Sequence, residues 1–376
     1  MVTKLSARLL GMRAALVVSF FVLVNFASAE GPTQYAFGKI AIPAASEDEP
    51  TREFSAEAAF DYLEKGTVAW TEKRGCVSCH TNGTYLLTAP SLAEHGGNVG
   101  AEMRRFFVEE LEKDESESDV EKLCHGLRPT KIAYIAAGLA EWDRHRSKAR
   151  SKETERALTV MFRAQADDGS YSNLDCWPPL ESSAYHGATV AMMAVAAAPG
   201  WVESAGPAVG AKFEELVAYL RTAPPANDYQ RTLLLWAASR YPDLLEKDRI
   251  EALQAMIRSH QREDGGWSIR RFASPETWGS GNRAEKLRAE PEFGEPPSDG
   301  HMTGLAIIVL REAGAPVDDP QITKAIRWLK ANQRESGRWW TRSLNTDKHH
   351  LITYSGTAYP MLALSLCGEL TQPTAD

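Results

Sequence analysis

Three segments of this chain end in the same way: Gln165-Ala-Asp-Asp-Gly169-Ser-Tyr171, Gln261-Arg-Glu-Asp-Gly265-Gly-Trp267 and Gln333-Arg-Glu-Ser-Gly337-Arg-Trp339. Each reads Gln-x3-Gly-x-aromatic. A repeat restricts the fold more than composition does, because one unit cannot bury its own apolar face and must stack on its neighbours. Upstream of each ending lies a stretch of helical period: Glu153 to Gln165, Arg249 to Gln261 and Ile322 to Gln333. In the last, Ile322, Ile326 and Leu329 share one helix face. The glycine suits a left-handed helix cap. The aromatic is placed to fold back on the helix end, and the Gln amide to bond the neighbouring turn.

Between these stretches lie helical patterns that are less charged and rich in small residues: Leu86 to Ala93, Thr130 to Trp142, Ser183 to Ala198, Tyr229 to Ser239, His301 to Ala313 and Tyr354 to Cys367. A helix that is apolar all round is buried, so these read as an inner ring. The more charged set reads as an outer ring: Ala56 to Thr71, Glu102 to Lys113, Glu153 to Gln165, Gly210 to Arg221, Arg249 to Gln261 and Ile322 to Gln333. Six antiparallel pairs close into an all-α (α/α)6 barrel over residues 55–367. Residues 30–54, with Pro32, Pro43 and Pro50, read as an extended N-terminal arm, and residues 368–376 as a tail. Trp278 to Asp299 reads as a long inserted loop of the kind that covers a site or stays mobile.

The chemistry-bearing motif is Cys76-Val-Ser-Cys79-His80. Two cysteines three apart, followed at once by histidine, have the spacing of c-type haem attachment. The thiols form thioethers to the haem vinyl groups, and the imidazole becomes the proximal iron ligand. A zinc site made of cysteines lacks its second pair, and a thioredoxin-like redox pair lacks its βαβ setting. Lys4, Arg8 and Arg13, the apolar run Ala14 to Val24, and Ala27-Ser28-Ala29 form the regions of a signal peptide over residues 1–29. Export to the periplasm or beyond the cell is expected, with no stable membrane span after cleavage. Cleavage takes the formal charge from −8 to −11, since the three cations leave with no acid. No Lys/Arg-dense stripe remains, which argues against nucleic acid as a partner. Cys124, Cys176 and Cys367 are left over; a Cys124–Cys176 disulfide and three ordinary buried thiols are both open.

The repeated endings, with Ala325-Ile326-Arg327-Trp328-Leu329 before the last, resemble the QW repeats of squalene-hopene cyclases and are similar to those of related prenyltransferases. The resemblance implies a terpenoid cyclase/prenyltransferase-like toroid, with a central cavity lined by the N-terminal ends of the inner helices. It also implies a hydrophobic, terpenoid-like small-molecule ligand. With the CxxCH motif, the chain resembles an exported subgroup of these repeat proteins. The Asp-x-Asp-Asp acid of the cyclases is missing: Asp167-Asp168 belongs to a repeat turn, and Asp318-Asp319 adjoins Pro320 in a loop. Cationic cyclisation thereby lacks its initiating proton donor. Prenyltransferases hold zinc through Asp-x-Cys and a later His. Asp299-Gly300-His301 is similar in place, with His349 or His350 to complete a set, but the third ligand does not align and zinc is not expected.

A sixth iron ligand would come from His or Met. His95, His125, His186, His301, Met302, His349 and His350 are available, and His186, His301 and Met302 are the candidates because they begin inner helices. Tyr185, Asp299 and Tyr354 complete the expected cavity lining, although Asp299 also reads as a helix N-cap. The expected role is a haem-bearing redox protein, passing electrons to an unknown partner or acting on a hydrophobic ligand. A haem-free cyclase- or prenyltransferase-like enzyme and a non-catalytic ligand-binding scaffold are the other readings.

Overall fold

The structure is a computed structural model that describes residues 32–97, 100–175, 177–180 and 183–370. The signal peptide expected at residues 1–29 and residues 371–376 of the tail lie outside the described residues. Twelve helices carry the fold: α1 (Ala56–Arg74), α2 (Thr84–Leu92), α3 (Ala101–Glu115), α4 (Arg128–Trp142), α5 (Lys152–Arg163), α6 (Ala184–Ala196), α7 (Pro207–Thr222), α8 (Asp228–Arg240), α9 (Lys247–Ser259), α10 (Gly300–Glu312), α11 (Pro320–Asn332) and α12 (Ser355–Leu366).

The even-numbered helices touch in order, α2 to α4, α6, α8, α10 and α12, and α12 returns to α2. The odd-numbered helices lie outside, α1 on α12, α3 and α5 on α4, α7 on α6, α9 on α8 and α11 on α10. The two rings differ in burial as their composition requires. In α10 every residue from Gly300 to Leu310 is buried, whereas α11 buries only Ile322, Ala325, Ile326 and Leu329. The all-α (α/α)6 barrel is the architecture that the repeats imply.

Each repeated ending is a staple between units. The Gln165 amide donates to Gly169 O (3.1 Å) in its own turn and to Lys212 O (3.0 Å) in α7. The Gln261 amide reaches Gly265 O and Gln321 O, both at 2.8 Å, the latter at the start of α11. Gln333 closes the ring: its Nε2 donates to Gly337 O (2.8 Å) and Ser55 O (2.9 Å), and its Oε1 accepts from Ser55 N (2.7 Å), the N-cap of α1. Trp267 and Trp339 fold back to donate to Ile257 O (2.8 Å) and Leu329 O (2.7 Å) of their own outer helices.

One local expectation is corrected. The glycines of the endings are not helix caps, because α5, α9 and α11 cap at Ala164, His260 and Gln333. The glycines follow in the left-handed region, with φ of 85° at Gly169, 97° at Gly265 and 88° at Gly337. A Cβ there would run into the backbone of the next outer helix, at Glu215, Lys324 and Ala58 respectively. Gly75 after α1, by contrast, is a left-handed cap, its N–H bonded to Thr71 O at 2.8 Å.

The arm is corrected as well. Thr33–Phe37 (β1) and Ile40–Pro43 (β2) pair antiparallel, with Tyr35 opposite Ile42 and Phe37 opposite Ile40 around Gly38 at φ 55°. Alternation of side chains across strands buries Tyr35, whose ring meets Tyr62 at 6.5 Å and Tyr354 at 6.0 Å. The insertion after Trp278 is tied to the body rather than loose. Trp278 and Leu287 are buried, and Glu290 accepts from Arg270 (2.9 Å) and Lys286 (3.2 Å). At the other end of the ring, Arg240 grips Glu312 with two 2.8 Å bonds and also pairs with Glu141, joining the C-terminal turns of α4, α8 and α10. Among the described residues no helix is long and apolar enough to cross a membrane.

Gln333→Ala would leave Ser55 N without its partner and take one of two from Ser55 O, which keeps Ala59 N at 3.3 Å, in a part-buried setting. Unmade bonds of this kind cost about 2–4 kcal/mol together. Urea unfolding of the variant should show that loss, and an unchanged midpoint would mean that ring closure does not depend on this amide.

Candidate functional site

The Cys76–His80 segment is fixed at the join between the first outer and first inner helix. Gly75 ends α1, and Cys79–Gly83 forms one wide π turn that runs into α2. Wide turns of this kind recur at functional sites. Asn82 holds the loop together: its Oδ1 accepts from Ser78 N (2.7 Å), and its Nδ2 donates to Cys76 O (3.0 Å) and Thr71 Oγ1 (3.1 Å). Thr84 Oγ1 donates to Cys79 O at 2.5 Å. Gly83 is required by close approach, because a Cβ would stand 2.6 Å from Ser78 O and 2.9 Å from the Tyr134 ring.

This rigid loop forms one side of a cavity of about 400 Å³. Cys76 is exposed, Cys79 is buried and His80 is partly buried, and all three line it. Trp70, Leu127, Leu351 and Ile352 add apolar wall, as do Trp177 to Leu180, which include a cis Pro178–Pro179 peptide. The remaining side is the loop from Ser343 to His349. The segments that lead into α2, α4, α6 and α12 all line this cavity, through Cys79, Leu127, Leu180 and Ile352. The volume lies in the range of cofactor-sized sites, and the composition, apolar walls with a few placed polar groups, is the usual one.

His80 is oriented from behind. Its Nδ1 bonds Thr81 Oγ1 at 2.7 Å, Thr81 Oγ1 bonds Tyr35 OH at 3.0 Å, and the Trp70 ring stands edge-on at 4.6 Å. Burial, with the Arg74 charge adding to it, pushes the imidazole down to about 4, so it is neutral at ordinary pH. With Nδ1 engaged, Nε2 is the nitrogen left for a metal, the arrangement by which an outer partner sets the tautomer of a ligating histidine. Burial, joined by the Glu110 charge, pushes the Cys76 thiol up. A reactive redox cysteine has a depressed pKa, so this thiol lacks the signature of a thioredoxin-like pair. Two thiols, one oriented neutral imidazole and apolar walls on a single cavity fit a covalent haem.

The other expected site residues lie elsewhere. His186 is buried, with Nε2 bonded to Tyr134 OH at 3.0 Å. His301 is buried with both nitrogens used, Nε2 by Tyr229 OH (3.1 Å) and Nδ1 by Ser355 Oγ (2.8 Å), and Met302 is fully buried beside it. Tyr354 donates to Leu63 O at 2.7 Å, and Tyr185 packs on Tyr219 at 5.9 Å. Asp299 caps α10, accepting from Met302 N (2.8 Å) and Ile269 N (2.7 Å), and burial pushes its carboxyl up to about 6. None of these six lines the cavity of the motif. The starts of the inner helices carry buried tyrosines and histidines, of which Tyr185 OH and His186 Nδ1 have no hydrogen-bond partner.

Among the described residues no three His, Cys, Asp or Glu side chains converge as a metal site, so Asp299, His301, His349 and His350 do not assemble one. Cys124 donates to Arg163 O at 3.5 Å, the described cysteines form no disulfide, and Cys176 lies outside the described residues.

Sequence reasoning missed Tyr35, Thr81 and the Trp177–Leu180 wall, and it named His349 among the available ligands without placing it at the motif. Thr81 directly follows the motif, and the apolar positions at Tyr35, Phe37, Ile40 and Ile42 around Gly38 were the available signal for the hairpin that delivers Tyr35.

No family model and no curated protein matches this chain. Among solved structures it is similar to a polysaccharide lyase, with a TM-score of 0.50 and 11% identity over 82% of this chain and 96% of that one. It is also similar to the type II terpene cyclase MstE from Scytonema in its apo form, with a TM-score of 0.43 and 11% identity over 77% of this chain and 89% of that one. At such identity the likeness concerns the fold, a helical toroid, and not the chemistry.

Burial pushes the His186 imidazole down to about 4 and that of His301 down to about 3, with the His186 charge adding in the second case. The unfolded chain binds these protons from pH 6.5 downward while the folded chain does not, so stability falls as pH falls from 6.5 towards 4. The loss is about 3 kcal/mol per histidine by the bottom of that window. Urea unfolding between pH 7 and pH 4 should show a shallower acid decline for His186→Gln than for the natural chain; parallel declines would refute the assignment.

Proposed function

We propose that the protein is an exported c-type haem protein that transfers electrons from a haem held at the mouth of an α/α toroid. The observation that supports this reading is the single cavity onto which Cys76, Cys79 and His80 all open. When bound, haem supplies a one-electron couple whose potential depends on axial ligands, hydrogen bonding and burial. The chain does the rest. Cys76 and Cys79 tether the group from one loop, Asn82 and Gly83 keep that loop rigid, and Thr81 with Tyr35 holds His80 in the tautomer that presents Nε2. Trp70, Leu127, Trp177, Leu351 and Ile352 exclude water from its faces. Exposed Cys76 leaves one edge at the protein surface, where a redox partner can approach. The apolar walls also leave room for haem-dependent chemistry on a hydrophobic small molecule as a second use of the same site. Location in the periplasm or outside the cell belongs to this proposal, since haem is attached by thioethers after export.

Protein made in a host with a cytochrome c maturation system should be coloured, with a c-type pyridine haemochrome and a mass raised by one haem. The Cys76→Ser, Cys79→Ser double variant should lose the covalent pigment. A colourless mature protein of apo mass would overturn the reading. Thr81→Val removes the acceptor for Nδ1–H while keeping the thiols; haem content should hold and the midpoint potential should rise, because the ligating imidazole becomes less basic. An unchanged potential would show that Thr81 does not act on His80.

A further inference from the structure

The expected candidates for the second axial position are accounted for: His186 and His301 are hydrogen-bonded inside the ring, and Met302 is packed in the core. The cavity of the motif offers a different residue. Apart from the motif itself, its lining among the described residues includes one side chain of the kind that ligates haem iron in proteins, His349. We propose that His349 is the distal ligand of the haem iron, an assignment that rests on haem attachment at Cys76, Cys79 and His80.

The loop that carries His349 is built to hold it. His350, next in the chain, faces the protein: its Nδ1 accepts from Ser343 N at 3.0 Å, and its ring meets Trp340 at 4.6 Å. Ser343 Oγ accepts from Asn345 N (3.1 Å) and Thr346 N (3.2 Å), which closes the turn on itself. Asn345 Oδ1 accepts from Arg283 Nε at 2.7 Å, and Asp347 pairs with Arg342 (3.3 Å) and Lys286 (3.4 Å). Anchors at Ser343, Asn345, Thr346, Asp347 and His350 therefore pin a loop on which His349 is exposed and turned to the cavity. The division of labour within the pair is then clear: His350 fixes the backbone and His349 is free to bind.

The loop comes from the last repeat and His80 from the first. Two axial ligands from opposite ends of the sequence would tie the ring together through iron.

The test uses the full-length mature protein loaded with haem in the maturation host. Absorption, resonance Raman and electron paramagnetic resonance spectra of the natural protein should report six-coordinate, low-spin iron. His349→Ala should keep the same pyridine haemochrome content but become high-spin, and added imidazole should restore the low-spin form. His349→Met should stay six-coordinate with a higher midpoint potential, as expected when thioether replaces imidazole. Low-spin iron in His349→Ala, or high-spin iron in the natural protein, would overturn the distal assignment while leaving haem attachment intact. Absence of any c-type band in the natural protein would instead overturn the attachment on which the assignment rests. Circular dichroism of His349→Ala guards against misfolding, which is not expected because the side chain is exposed.

Discussion

The amide of Gln333 does for the whole ring what its counterparts do for single joints. Gln165 and Gln261 each bond their own turn and the next outer helix, so they set the stagger between consecutive units. Gln333 makes the same pair of bonds to Ser55, almost the full length of the chain away. An open row of helix pairs would expose an apolar face at each end and would need capping units. Closure removes both ends at once. It also makes the candidate site, because the cavity is lined from Trp70 to His80 in the first unit, by Leu127 and Trp177 to Leu180 in the middle ones, and by Ser343 to Ile352 in the last. No partial ring contains it.

This dependence explains which features the sequence made legible. The twelve helices were readable because each is a local pattern: charged outer faces such as α11, and uniformly small or apolar inner stretches such as α10, differ in composition as well as period. The fold-back of Trp339 and the reach of the Gln amides followed from the repeated spacing. The hairpin of Thr33–Phe37 and Ile40–Pro43 was hidden because its strands are short, and its value lies in one buried tyrosine that touches another repeat.

The distal side was not legible for a related reason. Position near the start of an inner helix identifies His186 and His301 as facing inward, but period says nothing about depth. In the ring, each meets a tyrosine of the preceding inner helix, Tyr134 on α4 for His186 and Tyr229 on α8 for His301, and the pairs stack at 6.0 and 5.8 Å. Each pair takes the Nε2 of its histidine, and His301 spends Nδ1 on Ser355 as well, whereas His186 Nδ1 faces no hydrogen-bond partner. His349 had no helical pattern to recommend it. Its position follows from bonds made by its neighbours, and these join Ser343, Asn345 and His350 to residues that only the closed fold brings near.

The two ends of the ring are electrostatically unlike. At the far end Glu141, Arg240 and Glu312 form a buried cluster, where burial alone would raise Glu141 but the Arg240 charge holds it below the ordinary carboxylate range. Removing one member of such a cluster is costly because the others remain buried and charged, so that end is a closed base. Of the inner helices, α6, α8 and α10 begin at side-chain caps, Ser183, Asn227 and Asp299, whereas α2, α4 and α12 begin without one. Each uncapped start carries about half a positive charge. The start of α4, just after Leu127 on the cavity wall, brings such partial charge near the site. Under the proposed reading that field favours the reduced iron, which carries one charge less, and so acts in the same direction as the apolar walls. The neutral His80 opposes neither, whereas a protonated imidazole would both add charge and lose its lone pair.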